Sequence, residues 1–174
     1  PTVSAYDYLA EGQSVTVTGS YRVTDNFGAT DVESFNIVVS GTNDAPTAVT
    51  GAGVSLTGAM TEDQSVSAGG KLSSTGVLAF NDIDLIDTHS TSVSMVGGTL
   101  NATGTLTMGS VVESATTEAG SVGWTYDVSN SSVQYLAQGE SATQQFAVTV
   151  DDGRGGTVTQ NVTVTVNGAN DAPD

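Results

Sequence analysis

The chain has 174 residues, 19 of them acidic against three basic ones, Arg22, Lys71 and Arg154, for a formal net charge of −16. With no basic footprint, neither nucleic acid nor an anionic membrane surface is an expected partner. Cysteine is absent, which excludes a disulfide framework, and the apolar runs are far too short to span a bilayer. No signal peptide is visible at Pro1, and the chain reads as an internal fragment.

In chain order, Tyr8-Leu9-Ala10 precedes two strands whose apolar positions are Tyr21 and Val23, then Phe35, Ile37 and Val39. Next come seven short segments of strand character. Val54 and Leu56, with Met60, suggest the first; Val77 to Phe80 the second; Ser92 to Met95 the third. Leu100 to Met108, broken by Gly104, is the fourth, and Val122 to Val128 the fifth. Phe146, Val148 and Val150 mark the sixth; Val158, Val162, Val164 and Val166 mark the seventh, with an irregularity near its start. Tyr135-Leu136-Ala137, before Gly139, reads as one helical turn plugging the end between the fifth and sixth strands. No helical stripe of any length is present. An all-β, seven-stranded β-sandwich follows, with Trp124, Tyr126, Tyr135 and Phe146 in its core.

The chain repeats itself. Tyr8-Leu9-Ala10-Glu11-Gly12-Gln13-Ser14 matches Tyr135-Leu136-Ala137-Gln138-Gly139-Glu140-Ser141. The same spacing carries Asp25-x-x-Gly28-x-Thr30 onto Asp152-x-x-Gly155-x-Thr157, and Asn43-Asp44-Ala45-Pro46 onto Asn170-Asp171-Ala172-Pro173. Residues 47–174 are therefore a complete repeat, and residues 1–46 are the C-terminal half of a preceding or split one. A two-stranded hairpin is not stable alone in water, so residues 1–46 are expected to receive their missing strands from upstream or from another chain.

The acids fall at the ends of this architecture. In a seven-stranded sandwich the loop Asn81–Asp87 and the loop Asp151–Gly156 both lie beside the preceding junction, Asn43-Asp44-Ala45-Pro46. That gathers Asn43, Asp44, Asp82 and Asp84, with Asp152. Clustered carboxylates cannot all ionise without a compensating cation. Calcium suits them, because it takes six to eight oxygens from carboxylates, amides and carbonyls. Zinc would prefer His and Cys, of which the chain has one and none. At the far pole, Glu62 should approach Asn170 and Asp171, forming an equivalent cluster completed by a following repeat. Asp25 belongs to the corresponding upstream loop. For Asp152 and Asp25, a second reading stands beside the ligand role, that of a side chain capping a Gly-rich turn. Asp87 and His89 read as turn or surface residues.

Gly123-Trp124-Thr125-Tyr126, Val133-Gln134-Tyr135-Leu136-Ala137-x-Gly139-Glu140, Phe146, Asp152-Gly153 and Gly168-x-Asn170-Asp171-Ala172-Pro173 together resemble a VCBS-type repeat. Such repeats are cadherin-like or immunoglobulin-like β-sandwich modules of large bacterial surface proteins, including RTX adhesins. The resemblance implies an extracellular stalk segment of an adhesin exported by a type I system, with Ca2+ stiffening joints between neighbouring repeats of one chain. It also implies that a repeat can be split by an inserted ligand-binding domain, so that the half repeat would flank a sugar- or peptide-binding region. No Gly-Gly-x-Gly-x-Asp nonapeptide is present. Catalysis is not expected: His89 is the only histidine, and no serine accompanies it by motif.

Overall fold

The computed structural model describes residues 5–171, so Ala172 and Pro173 of the terminal repeat signature lie outside the described residues. Ten strands are present among them: β1 (Ser14–Thr24), β2 (Thr30–Ser40), β3 (Thr47–Val49), β4 (Thr57–Thr61), β5 (Lys71–Asn81), β6 (Ser90–Gly98), β7 (Thr105–Ser114), β8 (Thr117–Ser129), β9 (Ser141–Asp151) and β10 (Thr157–Asn167). β3 to β10 form two four-stranded sheets, ordered β4-β10-β9-β6 and β3-β5-β8-β7. β3 to β10, the segment read from sequence as the complete repeat, thus form a β-sandwich. β1 and β2 form a separate antiparallel hairpin that joins neither sheet.

Alternation accounts for the core. Along β9 and β10, residues facing the opposite sheet recur at every second position, and Phe146, Val148, Val150, Val162, Val164 and Val166 are all buried. They meet Leu72, Leu78, Phe80, Val122, Trp124 and Tyr126 of the other sheet. Trp124 is 1% exposed and donates its indole N–H to the Ser55 carbonyl at 2.8 Å. Tyr126 donates to Gln144 Oε1 at 2.5 Å, so each large polar aromatic is satisfied inside the core.

Several details differ from the sequence reading. The strand count in the complete repeat is eight rather than seven, because the first strand is divided. β3 pairs with β5 in one sheet, and β4 runs parallel to β10 in the other. Gly51 and Gly53, both at positive φ, make the crossing between sheets. The fourth and fifth strands run on as β7 and β8 to a turn at residues 115–116. The segment between Met108 and Val122 is rich in Gly, Ser, Thr and Glu, and it hides its strand character because little of it is apolar. No irregularity interrupts the start of β10: its register with β9 is continuous, and Gln160 takes the inward position, donating Nε2 to the Ala79 carbonyl at 2.8 Å. The helical turn lies earlier than expected, a 3-10 turn at Asn130–Ser132. Its apolar anchors are the buried Val133 and Leu136, whereas Tyr135 is half-exposed, with its hydroxyl accepting from Asn101 N.

The hairpin reproduces β9–β10 in register. Val15 pairs with Val39, Val17 with Ile37, Gly19 with Phe35 and Tyr21 with Glu33. Repeat-equivalent positions therefore occupy one face in each copy, but only the complete repeat covers that face. Truncating Val164 to Ala removes two buried methyl groups and should cost the sandwich about 2 kcal/mol. The equivalent Ile37→Ala, at a residue 52% exposed, should change sandwich stability by no more than about 0.5 kcal/mol. Urea unfolding followed through Trp124 fluorescence checks both.

Candidate functional site

Strand direction puts the β5–β6 loop, the β9–β10 loop and the junction after β2 at one pole. The β5–β6 loop is shaped by its own acids: Asp84 N donates to Asp82 Oδ1 at 2.9 Å, and Asp87 N to the Asp84 carbonyl at 2.9 Å. Asp82, Asp84 and Asp87 are all buried there. The β9–β10 loop is held by Asp152, whose Oδ1 accepts from Arg154 N at 2.7 Å and Gly156 N at 2.9 Å. Ala45 of the junction lies against Gly156, leaving no room for a side chain at that position.

The junction binds to both loops. Asp44 N donates to Asp84 Oδ2 at 2.7 Å, and Asn43 Nδ2 to Asp152 Oδ2 at 2.9 Å. Asn43, Asp44, Asp82, Asp84 and Asp152 therefore share one neighbourhood. Glu62, Asn170 and Asp171 lie at the opposite pole, where Glu62, 0% exposed, accepts from Ala169 N at 2.8 Å. Asp63 beside it accepts from Asn130 Nδ2 at 2.7 Å and Gln134 Nε2 at 3.1 Å. Asp25 sits exposed at the hairpin tip, its Oδ1 accepting from Phe27 N at 2.9 Å and Ala29 N at 2.8 Å. Both Asp25 and Asp152 thus cap their turns, and Asp152 faces the junction as well.

Two residues read from sequence as turn or surface positions are interior parts of this pole. Asp87 pairs with Arg154 Nε at 2.7 Å, and Arg154 also donates to the Glu11 carbonyl at 3.2 Å, tying the half repeat to the complete one. His89, its side chain 3% exposed, places Nε2 3.0 Å from Asp82 Oδ2 and Nδ1 2.7 Å from Glu113 Oε2. The Asp-x-Asp-x-x-Asp spacing was a visible signal for Asp87. Glu113 had none, because it lies in the polar part of β7 beyond Met108.

These contacts sort the acids by what compensates them. Asp82 has His89, Asp87 has Arg154, and Asp152 has turn amides and Asn43. Oxygens left over are buried and without partners: Asn43 Oδ1, Asp84 Oδ1 and Asp87 Oδ2 here, and Glu62 Oε2 at the far pole. As the side chains lie, no three His, Cys, Asp or Glu among the described residues converge as a ready-made metal site. The leftover donors are nevertheless all hard oxygens, with an amide among them, which is the donor set calcium takes.

Protonation equilibria follow the same division. Burial pushes the Asp84 carboxyl up, repulsion from Asp44, Asp82 and Asp87 adds to it, and the Asp44 N–H only partly offsets it. Burial likewise raises Asp87 against the pull of Arg154. Burial opposes the charge on His89 too, but its hydrogen bonds to Asp82 and Glu113 prevail and raise its pKa. For Asp152, burial is outweighed by bonds from Asn43, Arg154 N and Gly156 N, and the carboxyl is held below the usual range.

No family model and no curated protein matches the chain, so the VCBS resemblance rests on the residues themselves. Among solved structures, the fold is similar to cadherin-like domains 1 to 4 of zebrafish RET, at 14% identity and a TM-score of 0.41, covering 91% of this chain and 34% of that one. It is also similar to the sialic acid binding region of the Streptococcus sanguinis SK1 adhesin bound to 3'sLn, at 12% identity and a TM-score of 0.39, covering 87% of this chain and 37% of that one. The chain thus spans little more than a third of either, and likenesses this distant carry no argument about what it binds.

A group whose folded pKa is raised contributes less to stability as pH rises through that value. For His89 the contribution is full below its ordinary 6.5 and is lost above it; for Asp84 and Asp87 the penalty grows above 3.8. Asp152 acts oppositely, but its window lies below 3.8. In chelator, the urea midpoint should therefore fall between pH 6 and 8, and His89→Gln should flatten that slope.

Proposed function

We propose that this chain is an extender segment of a bacterial cell-surface adhesin, in which Ca2+ at the joint between successive β-sandwich repeats stiffens the chain. The observation that carries this reading is the set of buried, unpartnered oxygens at the joint, Asn43 Oδ1, Asp84 Oδ1 and Asp87 Oδ2. Two of these residues are tied across the point where one repeat meets the next, Asp84 to Asp44 N and Asn43 to Asp152. Asn43, Asp44, Asp82, Asp84 and Asp152 would hold the ion, which supplies the positive charge that local side chains lack. Glu62, Asn170 and Asp171 would form the corresponding half-site for a following repeat.

The mechanism is mechanical. Without a cation, Asp44 and Asp84 repel across the linker, and the joint is held by two hydrogen bonds and Arg154. With one, residues on both sides of Pro46 share an ion and lose hinge freedom. Extracellular calcium modules bind at about 10⁻⁴ to 10⁻³ M, so the joint would be loose before export and stiff outside the cell. Export by a type I system fits that sequence of states, and the tandem repeat fits the role of a spacer that projects a binding domain for adhesion or biofilm formation. Trp124 is buried and hydrogen-bonded, so it supports no sugar-binding platform.

Calorimetric titration should show calcium binding in the 10⁻⁴ to 10⁻³ M range, weakened about tenfold or more by Asp84→Asn. Small-angle scattering should show a longer, narrower particle in calcium than in chelator. Identical scattering in the two would reject the stiffening mechanism.

A further inference from the structure

β1–β2 holds the shape of a rear half-sandwich while its apolar face stays uncovered. Tyr21, Val23, Phe35 and Ile37 are 46–58% exposed. Their repeat equivalents Val148, Val150, Val162 and Val164 are at most 1% exposed, beneath β3-β5-β8-β7, with β4 on the β10 edge and β6 on the β9 edge. The plug that closes the complete repeat is also duplicated. Leu9 and Ala10 are buried. Gly41 N donates to the Gln13 carbonyl at 2.9 Å and Ala10 N to Gln13 Oε1 at 3.0 Å. In the complete repeat, Gly168 N donates to the Glu140 carbonyl at 2.9 Å and Ala137 N to Glu140 Oε2 at 3.0 Å. An apolar face this well ordered marks an interaction surface, and the complete repeat displays the kind of cover it fits.

A second mismatch lies at the joint itself. In the complete repeat, Glu62 comes from the front half and accepts from Ala169 N, one residue before Asn170. The equivalent of Ala169 is Thr42, one residue before Asn43. Among the described residues no carboxylate accepts from the Thr42 N–H.

We infer that the hairpin face is the seat for the front half of another β-sandwich repeat, a segment equivalent to β3–β8, and that its docking completes the cation site by bringing a glutamate to Thr42 beside Asn43 and Asp44. This rests on the cation reading of the joint. Docking and cation binding then promote each other by the same factor, since coupling between two binding events is reciprocal.

The hairpin also selects its cover. Phe27, 91% exposed, stands where the complete repeat has Arg154, whose guanidinium pairs with Asp87. A front half carrying an aspartate at that position would bury it without its cation. The fitting partner therefore presents an apolar residue to Phe27. Residues 47–132 of this chain, with Asp87, become a matched probe only after Phe27→Arg.

The test fuses residues 47–132 in register ahead of Tyr6, the equivalent of Val133, leaving the rest of the chain intact. It is made with Phe27 and with Phe27→Arg, and compared with the unfused protein. Hydrogen exchange should show amides 14–40 slowed about a hundredfold in the Phe27→Arg fusion and less with Phe27. Calcium affinity at the joint should rise about tenfold, and Glu62→Gln in the fused copy alone should remove that gain while the hairpin stays protected. Equal exchange in both fusions and the unfused chain overturns the docking. Protection without an affinity gain overturns the shared site. Absence of calcium binding in every form, with the hairpin still protected, strikes the cation reading and leaves docking standing. Concentration-dependent self-association that protects the hairpin of the unfused chain would make a second copy the occupant instead.

Discussion

The structure depends above all on the unbroken antiparallel register of β9 with β10. Because side chains alternate along a strand, one continuous register commits every second residue to the core, and a slip of one residue would turn the whole apolar set toward water. The same register places Asp151 opposite Thr157 at one end and Ser141 opposite Asn167 at the other. It therefore fixes which end of the sandwich carries the Asp152 turn and which end releases the chain toward Asn170. The poles, and the acids on them, are consequences of strand pairing.

Compensation at the pole beside the junction is local and incomplete. Three of its carboxylates are served by one histidine, one arginine and a set of turn amides, each within about hydrogen-bond distance. Such pairs matter because burial removes the water that would otherwise solvate them. The chain has few cations to distribute, and two of its four basic or imidazole side chains, Arg154 and His89, are concentrated here. Asp44 and Asp84 are left with the least compensation, and they stand on opposite sides of the linker.

The fold was legible where apolar alternation was strong, as at Phe146-Val148-Val150 and at Trp124-Tyr126. It was obscure where strands were polar, as between Met108 and Val122, since a partly exposed edge region needs few apolar residues. The division of the first strand left only Gly51 and Gly53 as its mark. Of the site, Asn43, Asp44, Asp82, Asp84 and Asp152 could be gathered from strand direction alone, because loops at one pole must be neighbours. His89 and Glu113 could not. Their contact depends on how far β7 runs before it turns, and that is a matter of cross-strand pairing rather than of local composition. Gln160 masks the start of β10 for the opposite reason: a polar residue on an inward position breaks the apolar pattern while its side-chain bond to Ala79 keeps it in place.

Burial of Glu62 has one more consequence. Its carboxylate lies at the sandwich pole that carries Asp63 and Asp171, while Asp82 and Asp84 lie at the other, so the β3–β10 sandwich carries acids at both ends. Two free copies brought end to end would meet charge against like charge, and any bridging ion would first have to offset the loss of translational freedom. A covalent linker removes that loss: neighbouring modules joined by a few residues sit at an effective concentration in the millimolar range. Contacts too weak to hold separate molecules become persistent along one chain. The order of modules is then written by the polypeptide rather than by encounters between separate molecules.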